Sequence, residues 1–190
     1  GACGGGGGNA GGGGGGWRRE PRCAGGCLVA PQGSGSPGAL WGGGKATANL
    51  ARILDRGRTR WSIDPCRRLQ TGMSDGGTFC YVTGLERGSP FTHLAPIAAA
   101  FHPLMAETAD AERLRGLPVH LVHGKLDWMF PVQMARQTRA ALSAAGAEMT
   151  YREIDDLSHC YPREINAAIL DWLNRPRQVS AHAAAGAQQY

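Results

Sequence analysis

The chain lacks any apolar run approaching the roughly 18–20 residues that a membrane-crossing helix needs, which excludes a transmembrane helix. It has no initiator Met and no basic-then-apolar leader, so no signal peptide is read, and a chain beginning at Gly1 is expected to be a fragment. Its six cysteines (Cys3, Cys23, Cys27, Cys66, Cys80, Cys160) contain no CxxC pair and no zinc spacing. They read as scattered free thiols, with a Cys23–Cys27 disulfide as the alternative, and the redox compartment is left open. Charged residues make up only 18% of the chain. They are unevenly placed: residues 1–63 hold eight basic side chains against Glu20 and Asp55, while the remainder holds twelve basic against thirteen acidic. A basic segment of this kind is a solvated face, so no nucleic-acid partner is expected.

What the chain has in excess is glycine: 30 of 190 residues, 20 of them within residues 1–44. The reading is a glycine-rich segment over 1–26, one globular α/β domain over 27–174, and a loose tail over 175–190. Cys27 to Pro31 reads as a short buried strand, and residues 45–57 as a helix with Ala46, Leu50, Ile53 and Leu54 on one face. Further strands are expected over Arg67–Thr71, His93–Ala99, Val119–His123 and Met149–Ile154. Helices are expected around Phe79–Leu85, over 133–145 with Gly146 as the stop, and over Ile165–Leu173. Strands alternating with helices imply βαβ units, hence a mostly parallel sheet covered on both faces. Chemistry on such a sheet gathers at the carboxyl ends of the strands.

Gly72-Met73-Ser74-Asp75-Gly76 stands at one such end, between a strand and a helical segment. A serine hydroxyl becomes a nucleophile only when a base reaches its proton, so it must stand exposed on a tight strand-to-helix turn. Small neighbours suit that turn, and the N–H of Asp75 then faces a developing oxyanion. Asp127 follows the strand ending at His123, and His159 follows the strand ending at Ile154. The order Ser74, Asp127, His159 suits nucleophile, orienting acid and general base. Asp155 and Asp156 are alternative acids, and both read better as turn formers. Trp128, Met129, Phe130 and Tyr161 adjoin this set; Trp128 and Tyr161 are taken as substrate contacts, against ordinary packing as the plain alternative.

Other patterns fail. Gly33-Ser34-Gly35-Ser36-Pro37-Gly38 imitates a dinucleotide loop, but Pro37 interrupts the turn. Gly44-Lys45-Ala46 lacks the hydroxyl that a P-loop needs. His120 and His123 fall on opposite faces of one strand, so no metal site is expected.

From about Gly4 to Leu173 the chain resembles the α/β-hydrolase esterases of the phospholipase/carboxylesterase group, including poly(3-hydroxybutyrate) depolymerase-like esterases. The resemblance rests on Ile63-Asp64-Pro65, Gly72 to Gly76, Phe91-Thr92-His93, His123-Gly124-Lys125-Leu126-Asp127 with Pro131, and Ser158-His159. It implies hydrolysis of carboxylic esters, small or lipid-like, through an acyl-enzyme intermediate and without a cofactor. It also implies a glycine loop supplying a second oxyanion donor. Gly5-Gly6-Gly7-Gly8-Asn9-Ala10 matches that loop, with Gly4 where the family carries His, and Gly6 as the donor. On this alignment the strands that normally precede the loop are absent, which leaves five. Two other functions fit the same residues: a truncated, inactive hydrolase-like domain, or the same three groups acting on a thioester or peptide bond.

Overall fold

The computed structural model describes Leu28–Val29 and residues 44–176. Among the described residues the chain runs α1 (Gly44–Arg60), β1 (Leu69–Met73), α2 (Asp75–Gly84), β2 (His93–Ile97), α3 (Leu104–Thr108), α4 (Ala111–Leu114), β3 (Pro118–Gly124), α5 (Val132–Ala144), β4 (Glu148–Ile154) and α6 (Asn166–Leu173). A 3-10 turn over Arg163–Ile165 leads into α6. The four strands form one parallel sheet in the order β1-β2-β3-β4. Parallel neighbours need crossovers, and α2, α3 with α4, and α5 supply them.

Every residue of β2 and β3 is buried, as expected of strands covered on both faces. Alternation along β2 sends Leu94 to one face and Ala95 and Ile97 to the other. The first face packs Leu94 and Val119 against Tyr81 of α2, Leu114 of α4 and Leu142 of α5, with Leu50 and Leu54 of α1 resting on that cluster. The second packs Ala95, Ile97 and Val122 against Ile165, Ile169 and Trp172. Ile165 and the apolar residues of α6 three, four, seven and eight positions after it make that second contact possible.

The structure moves several expected boundaries. β1 begins at Leu69 rather than Arg67 and runs on to Met73, because Gly72 and Met73 pair with Pro96 and Ile97. The following helix begins at Asp75, directly after Ser74. β2 stops at Ile97, where Ala98 adopts φ 44°. The helix ending before Gly146 does so as expected, with Gly146 at φ 96°. The short helices α3 and α4 were not foreseen. Leu28 and Val29 are exposed and carry no strand; the rest of the expected first strand, the glycine loop with Gly6, and most of the expected tail lie outside the described residues.

Candidate active site

β1 delivers Ser74 to the carboxyl edge of the sheet. Its N–H donates to Ile97 O at 2.9 Å, as a continuing strand would, while its own carbonyl accepts from Thr78 N–H at 2.9 Å as the cap of α2. One residue serves strand and helix only by adopting φ 56°, ψ −119°. A non-glycine residue held there costs on the order of 1–3 kcal/mol, which the surrounding packing must hold in place.

The flanking glycines divide the work differently from the motif. A Cβ on Gly72 would stand 2.5 Å from the backbone carbonyl of Gly76. A Cβ on Gly77 would stand 2.7 Å from Ala99 Cβ and 2.9 Å from Gly72 O. A Cβ on Gly76 would meet nothing within 4 Å. The close approach of β1 and α2 therefore rests on Gly72 and Gly77, and Gly76 is dispensable on steric grounds.

The other two groups arrive on loops that are laced together. Lys125 N–H donates to Ile154 O at 2.8 Å and Leu126 N–H to Leu157 O at 3.0 Å, so the segments after β3 and β4 run side by side. This brings His159 Nδ1 to 2.8 Å from Asp127 Oδ2 and His159 Nε2 to 3.0 Å from Ser74 Oγ. The carboxylate can only accept, so Nδ1 carries the proton and Nε2 accepts from the serine hydroxyl. Asp127 Oδ1 accepts from the N–H groups of Met129 (2.9 Å) and Phe130 (2.8 Å). Burial of Asp127 pushes its carboxyl pKa up. The Phe130 N–H, the His159 hydrogen bond and the Met129 N–H more than offset this, and the net shift is downward. Asp127 is therefore held as a carboxylate. Asp155, the first alternative acid, instead faces solvent and pairs with Lys125 at 3.3 Å, and Asp156 is exposed.

Of the expected substrate contacts, Trp128 is 73% exposed, with its ring 6.0 Å from that of His159 between centroids. Phe130 stands edge-on to the same imidazole at 5.5 Å, and Met129 is exposed beside it. Tyr161 donates its hydroxyl to Asn166 Oδ1 at 2.6 Å and packs on the Ile165–Ile169 cluster. Asp75 heads α2, and Gly6 lies outside the described residues. His120 and His123 do face opposite ways: His120 lies against Trp172, and His123 reaches the Asp127 loop. That second placement was not anticipated. Its only sequence sign is a histidine four residues before the acid, near the end of a buried strand. Among the described residues, no group of three or more His, Cys, Asp or Glu side chains could hold a metal ion.

No family model matches the chain. A non-reducing polyketide synthase of Aspergillus calidoustus is 39% identical over 54 residues, 28% of this chain and 2% of that protein. Solved structures align far more widely. Esterase PE8 matches at TM-score 0.58 with 20% identity, covering 70% of this chain and 61% of its own. SOBER1 of Arabidopsis thaliana matches at 0.57 with 19% identity, covering 68% and 61%. FphF, a fluorophosphonate-binding serine hydrolase of Staphylococcus aureus, matches at 0.56 with 13% identity, covering 69% and 64%. The chain thus spans a little over three fifths of the length of these structures. Together with a parallel sheet flanked by helices and a strand-to-helix turn at Ser74, these matches show that the chain has the α/β-hydrolase fold.

Proposed function

We propose that the protein is a serine hydrolase that cleaves carboxylic esters through an acyl-enzyme intermediate. The observation that carries this reading is the hydrogen-bonded chain from Ser74 Oγ through His159 to Asp127, anchored on a backbone turn held at positive φ. Ser74 Oγ attacks the ester carbonyl carbon while its proton passes to His159 Nε2. The tetrahedral intermediate collapses, the bond to the alcohol oxygen breaks, and His159 returns the proton to the departing alkoxide. Water then repeats the sequence on the acyl group carried by Ser74. Asp127 keeps the imidazole in the Nδ1–H tautomer and stabilises the imidazolium that forms. The N–H of Asp75 is assigned to the oxyanion, with Gly6 as its partner donor. Trp128 is the substrate contact beside His159; Tyr161, its hydroxyl engaged by Asn166, offers only its ring. No step in this scheme calls for a cofactor.

A second reading of the same residues is a hydrolase-like domain without turnover. Hydrolysis of p-nitrophenyl acetate and butyrate by the purified chain, beside a fluorophosphonate label, separates the two. Turnover and labelling that both disappear in Ser74→Ala establish the ester hydrolase. Labelling without turnover indicates competent side chains and a failed oxyanion site. Neither signal in a folded chain leaves the inert domain.

A further inference from the structure

We infer that His123 is the positioning residue that holds the Asp127 carboxylate in line with His159; this rests on the proposed serine-hydrolase reading for its kinetic consequence, though not for its geometry. His123 lies on the penultimate residue of β3 and its side chain is fully buried. Buried histidine usually has a packing role or a partner for each ring nitrogen. Here Nε2 lies 2.8 Å from Phe130 O, whereas Nδ1 has no hydrogen-bond partner among the described residues. A carbonyl oxygen accepts and cannot donate, so Nε2 carries a proton and donates it to Phe130 O.

The backbone of Phe130 is thereby held on both sides of its Cα. Its N–H donates to Asp127 Oδ1 and its C=O accepts from His123. The turn that carries Asp127 is tied back onto the strand it left, across a span of only seven residues. His123 Nε2 also stands 3.6 Å from Asp127 Oδ2, the oxygen that faces His159. That distance is too long for a second hydrogen bond, but it places the positive end of an N–H dipole beside the carboxylate. Both effects favour one rotamer of Asp127. Without the tie, Phe130 C=O loses this partner, and the 127–130 turn is free to repack around an exposed Trp128.

The role differs from packing alone. A leucine of similar volume preserves packing and removes the donor, whereas glutamine restores a donor near the Nε2 position. We expect His123→Leu to lower kcat about 100-fold with KM nearly unchanged, the effect of misplacing a reacting group by roughly an ångström. His123→Gln should recover most of that loss. Two readouts do not depend on turnover. The low-field proton of the His159–Asp127 hydrogen bond should be present in the unmodified chain, absent in Asp127→Asn and His123→Leu, and restored in His123→Gln. The ring ¹⁵N shifts of His123 in the unmodified chain should report the Nε2–H tautomer.

An Nδ1–H tautomer, or a low-field proton and kcat untouched by His123→Leu, would overturn the inference. If His123→Leu does not fold, the tautomer and the glutamine variant decide: a folded His123→Gln that lacks the low-field proton also counts against it. An unmodified chain that shows the low-field proton but no turnover refutes the hydrolase reading and leaves the positioning role to stand or fall on the spectra.

Discussion

Ser74 Oγ and His159 Nε2 stand 3.0 Å apart although 85 residues separate them in the chain. Nothing local holds them together; the contact is the sum of three parallel strand pairings and the lacing of two loops. The proposed proton transfer between them depends on each of those being formed.

That dependence is sharpest for the acid. Asp127→Asn keeps the shape and the two backbone donors near it, but an amide nitrogen in place of Oδ2 offers a proton where His159 Nδ1–H needs an acceptor. The imidazole then favours the tautomer that cannot take the Ser74 proton. We expect kcat for p-nitrophenyl butyrate to fall about 10,000-fold with little change in melting temperature. A fall of less than tenfold would remove Asp127 from the proposed role.

The elbow glycines should separate cleanly in a stability measurement. Gly72→Ala places a methyl 2.5 Å from backbone that cannot yield, and we expect a loss of about 2–3 kcal/mol in urea unfolding. Gly76→Ala puts the same methyl into open space on the first turn of α2. There it should be neutral or stabilise by up to about 1 kcal/mol, since alanine is the better helix former. Equal losses at both positions would show that the motif's spacing, not the β1–α2 approach, sets the requirement.

His120 gives a pH dependence with a definite sign. It is 5% exposed on the Trp172 face, and burial, with Arg152 and Arg175 nearby, lowers its pKa from 6.5 to about 4. His93, the other histidine against Trp172, shares a hydrogen bond with Thr92. Between pH 6.5 and 4 the unfolded chain binds a proton at His120 that the folded chain refuses, so stability rises with pH across that window. The contribution is fully present above the unfolded value and is lost as pH falls toward the folded one. At about 1.4 kcal/mol per pKa unit this amounts to roughly 3 kcal/mol. Urea unfolding from pH 7 to 4 should therefore be distinctly flatter in His120→Leu than in the unmodified chain. Parallel curves would mean that the ring is charged in the fold.

Trp128 projects into solvent beside the imidazole, so its removal should leave the fold alone and weaken substrate capture. For Trp128→Ala we expect KM for p-nitrophenyl butyrate to rise about tenfold, close to 1.4 kcal/mol of lost contact, with kcat and melting temperature nearly unchanged. A change in melting temperature without one in KM would assign the ring to packing.

Much of this site could be read from the chain alone because its determinants are local. A glycine-flanked serine between strand and helix, and an acid and a histidine each following a strand, are patterns that each occupy only a few residues of the chain. So are the periodicities of β3, α5 and α6, whose apolar residues recur at the spacing of the element they form. The alternating elements were enough to imply a parallel sheet. The start of β1, the stop of β2 at Ala98, and the short helices α3 and α4 were not legible in that way. Four or five residues carry too little periodicity to signal a helix, and a strand's end depends on where its neighbour stops pairing.

Composition and order along the chain thus determined the fold class, the three side chains that the structure joins by hydrogen bonds at the sheet edge, and the exclusion of a membrane-crossing helix. The tertiary structure alone decided which acid meets His159, which glycines the elbow requires, and that His123 ties the acid loop to its strand. Those outcomes are distances between residues far apart in sequence. They follow from close packing and hydrogen-bond direction in three dimensions, which a linear pattern does not encode.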